Sequence, residues 1–233
     1  METIELISLT LGVAWASGIN LYAAVLVLGY LGLTGHVDLP PGLEVLSNPL
    51  LMGAAGFMYM VEFFADKTPG VDTGWDILHT FIRIPAGAVL AAGMAEGIGV
   101  SEAAEFAALL IGGGVAAATH ATKTGTRALI NTSPEPTTNW TASILEDIAV
   151  IGGLWASLNY PIAFVAALIL FFALVIWLLP KIWRALKRIA RAIGEFFSGS
   201  KREDDLPPSS TGKRSDILHA LYHDANEKPK IGS

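Results

Sequence analysis

Residues 62–85 read EFFADKTPGVDTGWDILHTFIRIP. Two apolar stretches, 48–66 and 77–97, meet here across Lys67-Thr68-Pro69-Gly70, a Pro-Gly turn signal, and ionisable residues crowd the ends of both. If 58–66 is helical, Glu62 and Asp66 stand four apart on one face. If 75–84 is helical, Asp76, His79 and Arg83 share a face at spacings of three and four. A charge at the bilayer centre costs about 2.5–3.5 kcal/mol on the insertion scale, against about 0.3–0.6 returned by each Leu, Ile, Phe or Val. Several such groups facing lipid would cancel much of a helix's insertion energy. They are expected to face one another, or water, inside a bundle.

Four further apolar stretches flank this segment, at 4–33, 103–128, 140–158 and 160–179. With 52% hydrophobic residues, 15% charged and a mean hydropathy of +0.52, the chain reads as a membrane protein. The expected fold is all-α, a polytopic transmembrane bundle of about six spans. The first stretch would make a helix about 45 Å long, well beyond the hydrocarbon thickness of about 30 Å. Ser17-Gly18-Ile19-Asn20 at its middle is the natural break, so the first span is either broken or re-entrant, or else a long tilted helix with a polar kink. Pro180 is expected to end the last span. Residues 1–180 then form the transmembrane domain and 181–197 a basic amphipathic helix, with Ile182, Leu186, Ile189, Ile193 and Phe196 at helical spacing. Residues 198–233 read as a polar cytoplasmic tail, disordered around Pro207-Pro208-Ser209-Ser210, with one short helix at 215–226.

Charge placement orients the chain. Loops 34–47, 98–102 and 159–160 carry no Lys or Arg, whereas the other face holds Lys67, Lys123, Arg127 and the run from Lys181 onward. The positive-inside rule puts that face, and the C-terminus, in the cytoplasm. The N-terminus has no basic residue, and a re-entrant first segment places it outside. Lys181, Arg184, Lys187, Arg188 and Arg191 are expected to rest on an anionic leaflet. These cations flank a membrane segment rather than form a soluble basic face, which argues against nucleic-acid binding. With no cysteine there is no disulfide, thiolate metal site or thiol nucleophile. Gly53-Ala54-Ala55-Gly56 and Gly112-Gly113-Gly114 offer small faces for close helix packing and are compatible with a homo-oligomer.

The candidate site draws on five helices. Asn20 at the break, with Lys67, Arg83, Lys123 and Arg127, suits an anionic group such as phosphate or carboxylate. Glu62, Asp66, Asp72, Asp76, His79, His120, Glu146 and Asp147 form a polar core able to carry coupling protons. This points to a transporter or flippase-like protein with a polar chamber open to the cytoplasm, and no cofactor is called for. A membrane enzyme or metal site could use the same carboxylates and histidines, although no HExxH, GxSxG or P-loop occurs. A scaffold held by ion pairs is the third alternative. The sequons at Asn131 and Asn139 fall in the loop placed inside and are read as accidental.

Three segments, Ser17-Gly-Ile-Asn20 through Tyr22, Glu62 to Pro85, and Lys123 to Asp147, resemble an uncharacterised integral membrane family catalogued as domain of unknown function 4126. The resemblance covers most of residues 10–160. It implies a multi-helix protein of the bacterial inner membrane and no particular activity.

Overall fold

The computed structural model describes residues 3–68, 70–97, 99–132, 135–198, 216–219 and 221–222. Its helices are α1 (Thr3–Leu33), α2 (Pro49–Ala65), α3 (Val71–Glu96), α4 (Glu102–Ile130), α5 (Pro136–Asn159) and α6 (Pro161–Ser198), with a short 3₁₀ turn at Glu44–Ser47. Among the described residues there is no strand. Local chemistry sets several boundaries. Asn48 accepts a hydrogen bond from the Leu50 amide (2.9 Å), and Pro49 starts α2 where its missing N–H costs nothing. Gly70 takes φ of 85°, a conformation that lets the chain reverse from α2 into α3 without a Cβ penalty.

Among the described residues, five helices are long and apolar enough to cross a membrane: α1, α3, α4, α5 and α6. The apolar helix α2 has 17 residues, the short end of what can span. Length misleads for α1, whose helical geometry fails at Asn20 (φ −146°, ψ 97°). Before the break, Trp15 packs against Gly153 and Gly12 against Ser157, so residues 3–19 run antiparallel to α5. After it, Gly29 packs against Leu46 and Met52, at the start of α2. Glu5 and His36 line the same cavity of about 700 Å³. In an unbroken helix, residues so far apart would be separated by more than about 40 Å. Thus α1 enters from one face, turns at Asn20 and returns, which is the re-entrant alternative. The start of α1 therefore lies at the same end of the bundle as the 34–48 and 159–160 connections.

The two halves of α1 occupy the centre of the bundle. Leu6, Leu9, Val13, Leu28, Met94 and Leu154 are buried in one apolar cluster. Close approach needs small residues: a Cβ on Gly18 would lie 2.5 Å from the Ala116 carbonyl oxygen, and one on Gly87 would lie 2.5 Å from Ser17 Oγ. Replacing these glycines would push α1 off α4 and α3.

One expectation needs correction. The helix itself does not stop at Pro180: α6 continues to Ser198, so the helix expected at 181–197 is its direct continuation rather than a separate element. Proline removes one amide donor, but the flanking Leu, Ile, Trp and Lys residues sustain the helix through it. Lys123 and Arg127 both lie within α4, 5% and 0% exposed. The compact unit carrying the site is Met1–Arg188, and Ile189–Ser233 form a second unit. The expected linker at 207–210 lies outside the described residues, while 216–219 and 221–222 are helical.

Candidate functional site

Seven ionisable side chains from α2, the turn after it, α3, α4 and α5 meet at the tip of α1. Arg83 bonds Glu62 at 2.6 Å and Asp76 at 2.9 Å, and all three are fully buried. Asp76 and Arg83 are two turns apart on α3, so the helix itself sets that pair. The Lys123 ammonium lies 2.8 Å from Asp66, 3.4 Å from Glu62, 3.5 Å from Glu146 and 3.7 Å from Asp76. Arg127 grips Glu146 with two parallel bonds, Nε to Oε1 at 3.1 Å and Nη2 to Oε2 at 2.7 Å. This bidentate geometry is the strongest form a guanidinium–carboxylate pair takes. The remaining donor of Arg127 reaches the carbonyl oxygens of Asp66 (2.9 Å) and Asn139 (3.1 Å).

The break in α1 is built into this network. Asn20 Oδ1 accepts the Ala23 amide (3.0 Å), capping the second half-helix, while Asn20 Nδ2 donates to Asp147 (3.1 Å). The Ile19 carbonyl, left without a helical partner, accepts from Lys123 Nζ (3.1 Å). One half-helix thus presents its negative end to an ammonium, as the helix dipole favours.

Charge bookkeeping decides what the network can do. Four carboxylates (Glu62, Asp66, Asp76 and Glu146) face three cations (Arg83, Lys123 and Arg127), and the adjoining Asp147 and Lys67 add one charge of each sign, which leaves an excess of one negative charge. Glu62 Oε2, Asp66 Oδ1 and Asp76 Oδ2 are buried with no hydrogen bond from a described group. Each of the three cations is already matched, and Arg83 and Arg127 are fully buried. The Glu146 side chain, 20% exposed, is the most accessible member of these pairs. The expected chamber is therefore closed in this conformation, because carboxylates fill the places an anion would take.

The other expected residues lie around this centre. His120 places Nδ1 3.2 Å from Arg83 Nη1 and Nε2 2.8 Å from Thr80 Oγ1. His79 does not bond Asp76 or Arg83 despite sharing their helix. Its Nε2 meets the Tyr22 hydroxyl at 3.0 Å and its ring stacks on Trp75. Lys67 lies in the turn after α2, donates to Ser143 Oγ (3.2 Å) and the Phe63 carbonyl (3.2 Å), and is held below the usual lysine value by burial. Asp72 stands apart, accepting from Asn131 Nδ2 with both oxygens (2.8 and 2.9 Å).

Sequence reasoning missed Tyr22, Thr80, Asn131 and Asn139. Asn139 Nδ2 donates to Asn131 Oδ1 (2.8 Å), so an amide chain links Asp72 to the start of α5 beside Arg127. Both asparagines were visible as sequons. Their amides serve this latch, and Asn139 is only 1% exposed.

The family model described as Domain of unknown function (DUF4126) matches residues 7–181, three quarters of the chain, including every residue of the network. No curated protein and no solved structure matches the chain.

Proposed function

The chain belongs to the DUF4126 family, and we propose that it is a small transporter or flippase-like protein in which an anionic group displaces Glu146 from Arg127, with a proton taken up by Glu146 in exchange. The observation carrying this is the charge count: a closed site with four carboxylates, three cations and three unpartnered carboxylate oxygens at the tip of a broken helix. Such a site is one proton short of neutrality, and a neutral Glu146 would release the Arg127 fork for an incoming phosphate or carboxylate. Discontinuous helices whose ends meet a polar site at mid-membrane are a recurring device of transporters. We place the Lys67 face in the cytoplasm of a bacterial inner membrane, since Lys181, Arg184, Lys187 and Arg188 leave the bilayer there.

Proteoliposomes loaded with a pH-sensitive dye provide the test. Inward gradients of inorganic phosphate, acetate and succinate are imposed in turn, and scrambling of a fluorescent phosphatidylglycerol is followed in parallel. At least one probe is predicted to move, with lumenal acidification for a soluble anion. Arg127→Met abolishes the movement, and Glu146→Gln removes its dependence on pH. No movement of any probe by correctly folded protein overturns the proposal.

The mutual pairing of Arg83, Lys123 and Arg127 with buried carboxylates favours a second reading, a structural lock between helices. A lock predicts that Glu146→Gln lowers stability and alters no flux. Among the described residues, no group of three or more His, Cys, Asp or Glu is placed to hold a metal ion, so a metal centre has no donor set to argue from.

A further inference from the structure

At the end of the bundle away from the ion-pair network, the cavity of about 700 Å³ lies between the start of α1, its returning half and the end of α5. That volume is in the range of small-molecule sites. The polar part of its lining is Glu5, Tyr30, His36 and Asn159. Neighbouring hydrogen bonds fix what these groups offer. Thr34 gives its one hydroxyl proton to the Tyr30 carbonyl (2.8 Å), so the 2.8 Å bond between Thr34 and His36 takes its proton from Nδ1. In the neutral ring, Nε2 is then a lone-pair acceptor. Asn159 turns Nδ2 to the Trp155 carbonyl (2.8 Å), so Oδ1, an acceptor, is directed away from it. A glutamate carboxylate only accepts, and the Tyr30 hydroxyl can do either.

We propose that this cavity binds a primary ammonium joined to an apolar body, either a free alkylamine or the ethanolamine head of an aminophospholipid. Three acceptors call for a donor-rich group, and a primary ammonium brings three N–H donors where a quaternary one brings none. The electrostatics have the same sign. At the cavity, α5 and the returning half of α1 present C-terminal ends with no basic residue in their last turns, and such ends favour a cation. The N-terminal end of α1 brings Glu5 in its first turn. The 34–48 and 159–160 connections add Asp38 and Glu44 and no Lys or Arg. Tyr30 and Trp155 stand exposed on the wall, and aromatic ring faces attract an ammonium. Leu26, Ile151 and Leu158 supply the surface for the apolar body. This site does not depend on the transport proposal, which concerns an anion at the other end of the bundle.

Two arms test the assignment on the full-length protein in detergent. In the first, melting temperature is followed while n-hexylamine, n-hexanol or n-hexyltrimethylammonium is titrated at neutral pH. A free-amine site is stabilised saturably by hexylamine and not by either analogue. In the second, native mass spectrometry compares phosphatidylethanolamine with phosphatidylcholine carrying identical acyl chains. Preferential retention of phosphatidylethanolamine identifies a lipid source, and a hexylamine shift without that preference identifies a free amine. Glu5→Gln weakens whichever ligand binds by about tenfold, the worth of a hydrogen bond to a charged group. Ile151→Trp, which fills the cavity from an exposed position, removes the binding, and Glu5→Gln carries the test if that variant fails to fold. A hexylamine response no larger than that to either analogue, with the two lipids retained equally, overturns the proposal. So does binding that Glu5→Gln leaves unchanged.

Discussion

Lys123→Met is the most informative single change. The ammonium lies within 4 Å of four carboxylates and also holds the Ile19 carbonyl at the break in α1. Methionine keeps much of the volume and removes the charge, raising the local excess from one negative charge to two. Breaking a buried ion pair by deleting one partner costs about 3–5 kcal/mol, because the remaining charge stays desolvated. For a chain of this size each kcal/mol moves the melting temperature by about 2–4 °C, so a fall of about 6–20 °C is expected. Intrinsic fluorescence of the six tryptophans, followed on heating in detergent, reads this directly. Adding Asp66→Asn returns the excess to one. The double variant should then recover part of the loss, with a coupling energy of about 1–3 kcal/mol. Rescue stays incomplete because Ile19 remains uncapped. A loss below about 1 kcal/mol, typical of exposed pairs, or strict additivity in the double variant, would refute the closed network.

Other perturbations probe separate parts of the account. Gly18→Leu should disrupt the seating of α1 on α4 and lower the melting temperature, whereas Gly114→Leu, at an exposed position with nothing within 4 Å, should leave it unchanged. Asn139→Ala removes the donor to Asn131 and should destabilise the protein by about 1 kcal/mol, measured by the same melts. Lys67 gives a pH signature with a defined sign. Its value is lowered in the folded state, so between that value and the ordinary value of about 10.4 the unfolded chain binds more protons, and stability rises with pH. The wild type should therefore gain on Lys67→Met as pH is raised through that window, and a difference that shrinks instead would show the sign to be wrong.

Much of this architecture could be read before the coordinates, and the unread part has physical reasons. Hydropathy located α1, α2, α4 and α5 within a few residues, but it started α3 late and stopped short in α6, where the helix continues through polar sequence. Ser17-Gly18-Ile19-Asn20 announced the break because those residues favour non-helical backbone, but whether the chain crossed or returned depended on packing against Gly153 and Met52. The expense of lone charges in lipid said that Glu62, Arg83 and Glu146 must meet. It could not say that Arg83 takes Asp76 while His79, on the same helix, turns to Tyr22. Such choices depend on helix rotation, which no local pattern encodes. Asn131 and Asn139 were seen as sequons, and their burial beside Asp72 and Arg127 arises only when α3, α4 and α5 come together.

The lack of cysteine allows the central claim, a network closed by Glu146, to be tested with one introduced thiol. Ser143 is isosteric with cysteine, 2% exposed and one turn before Glu146 on α5. In Ser143→Cys the thiol is predicted to resist a charged methanethiosulfonate reagent added to the Lys67 face, and to react rapidly once Glu146→Gln frees Arg127. Fast modification in both backgrounds, or protection in both, would contradict it.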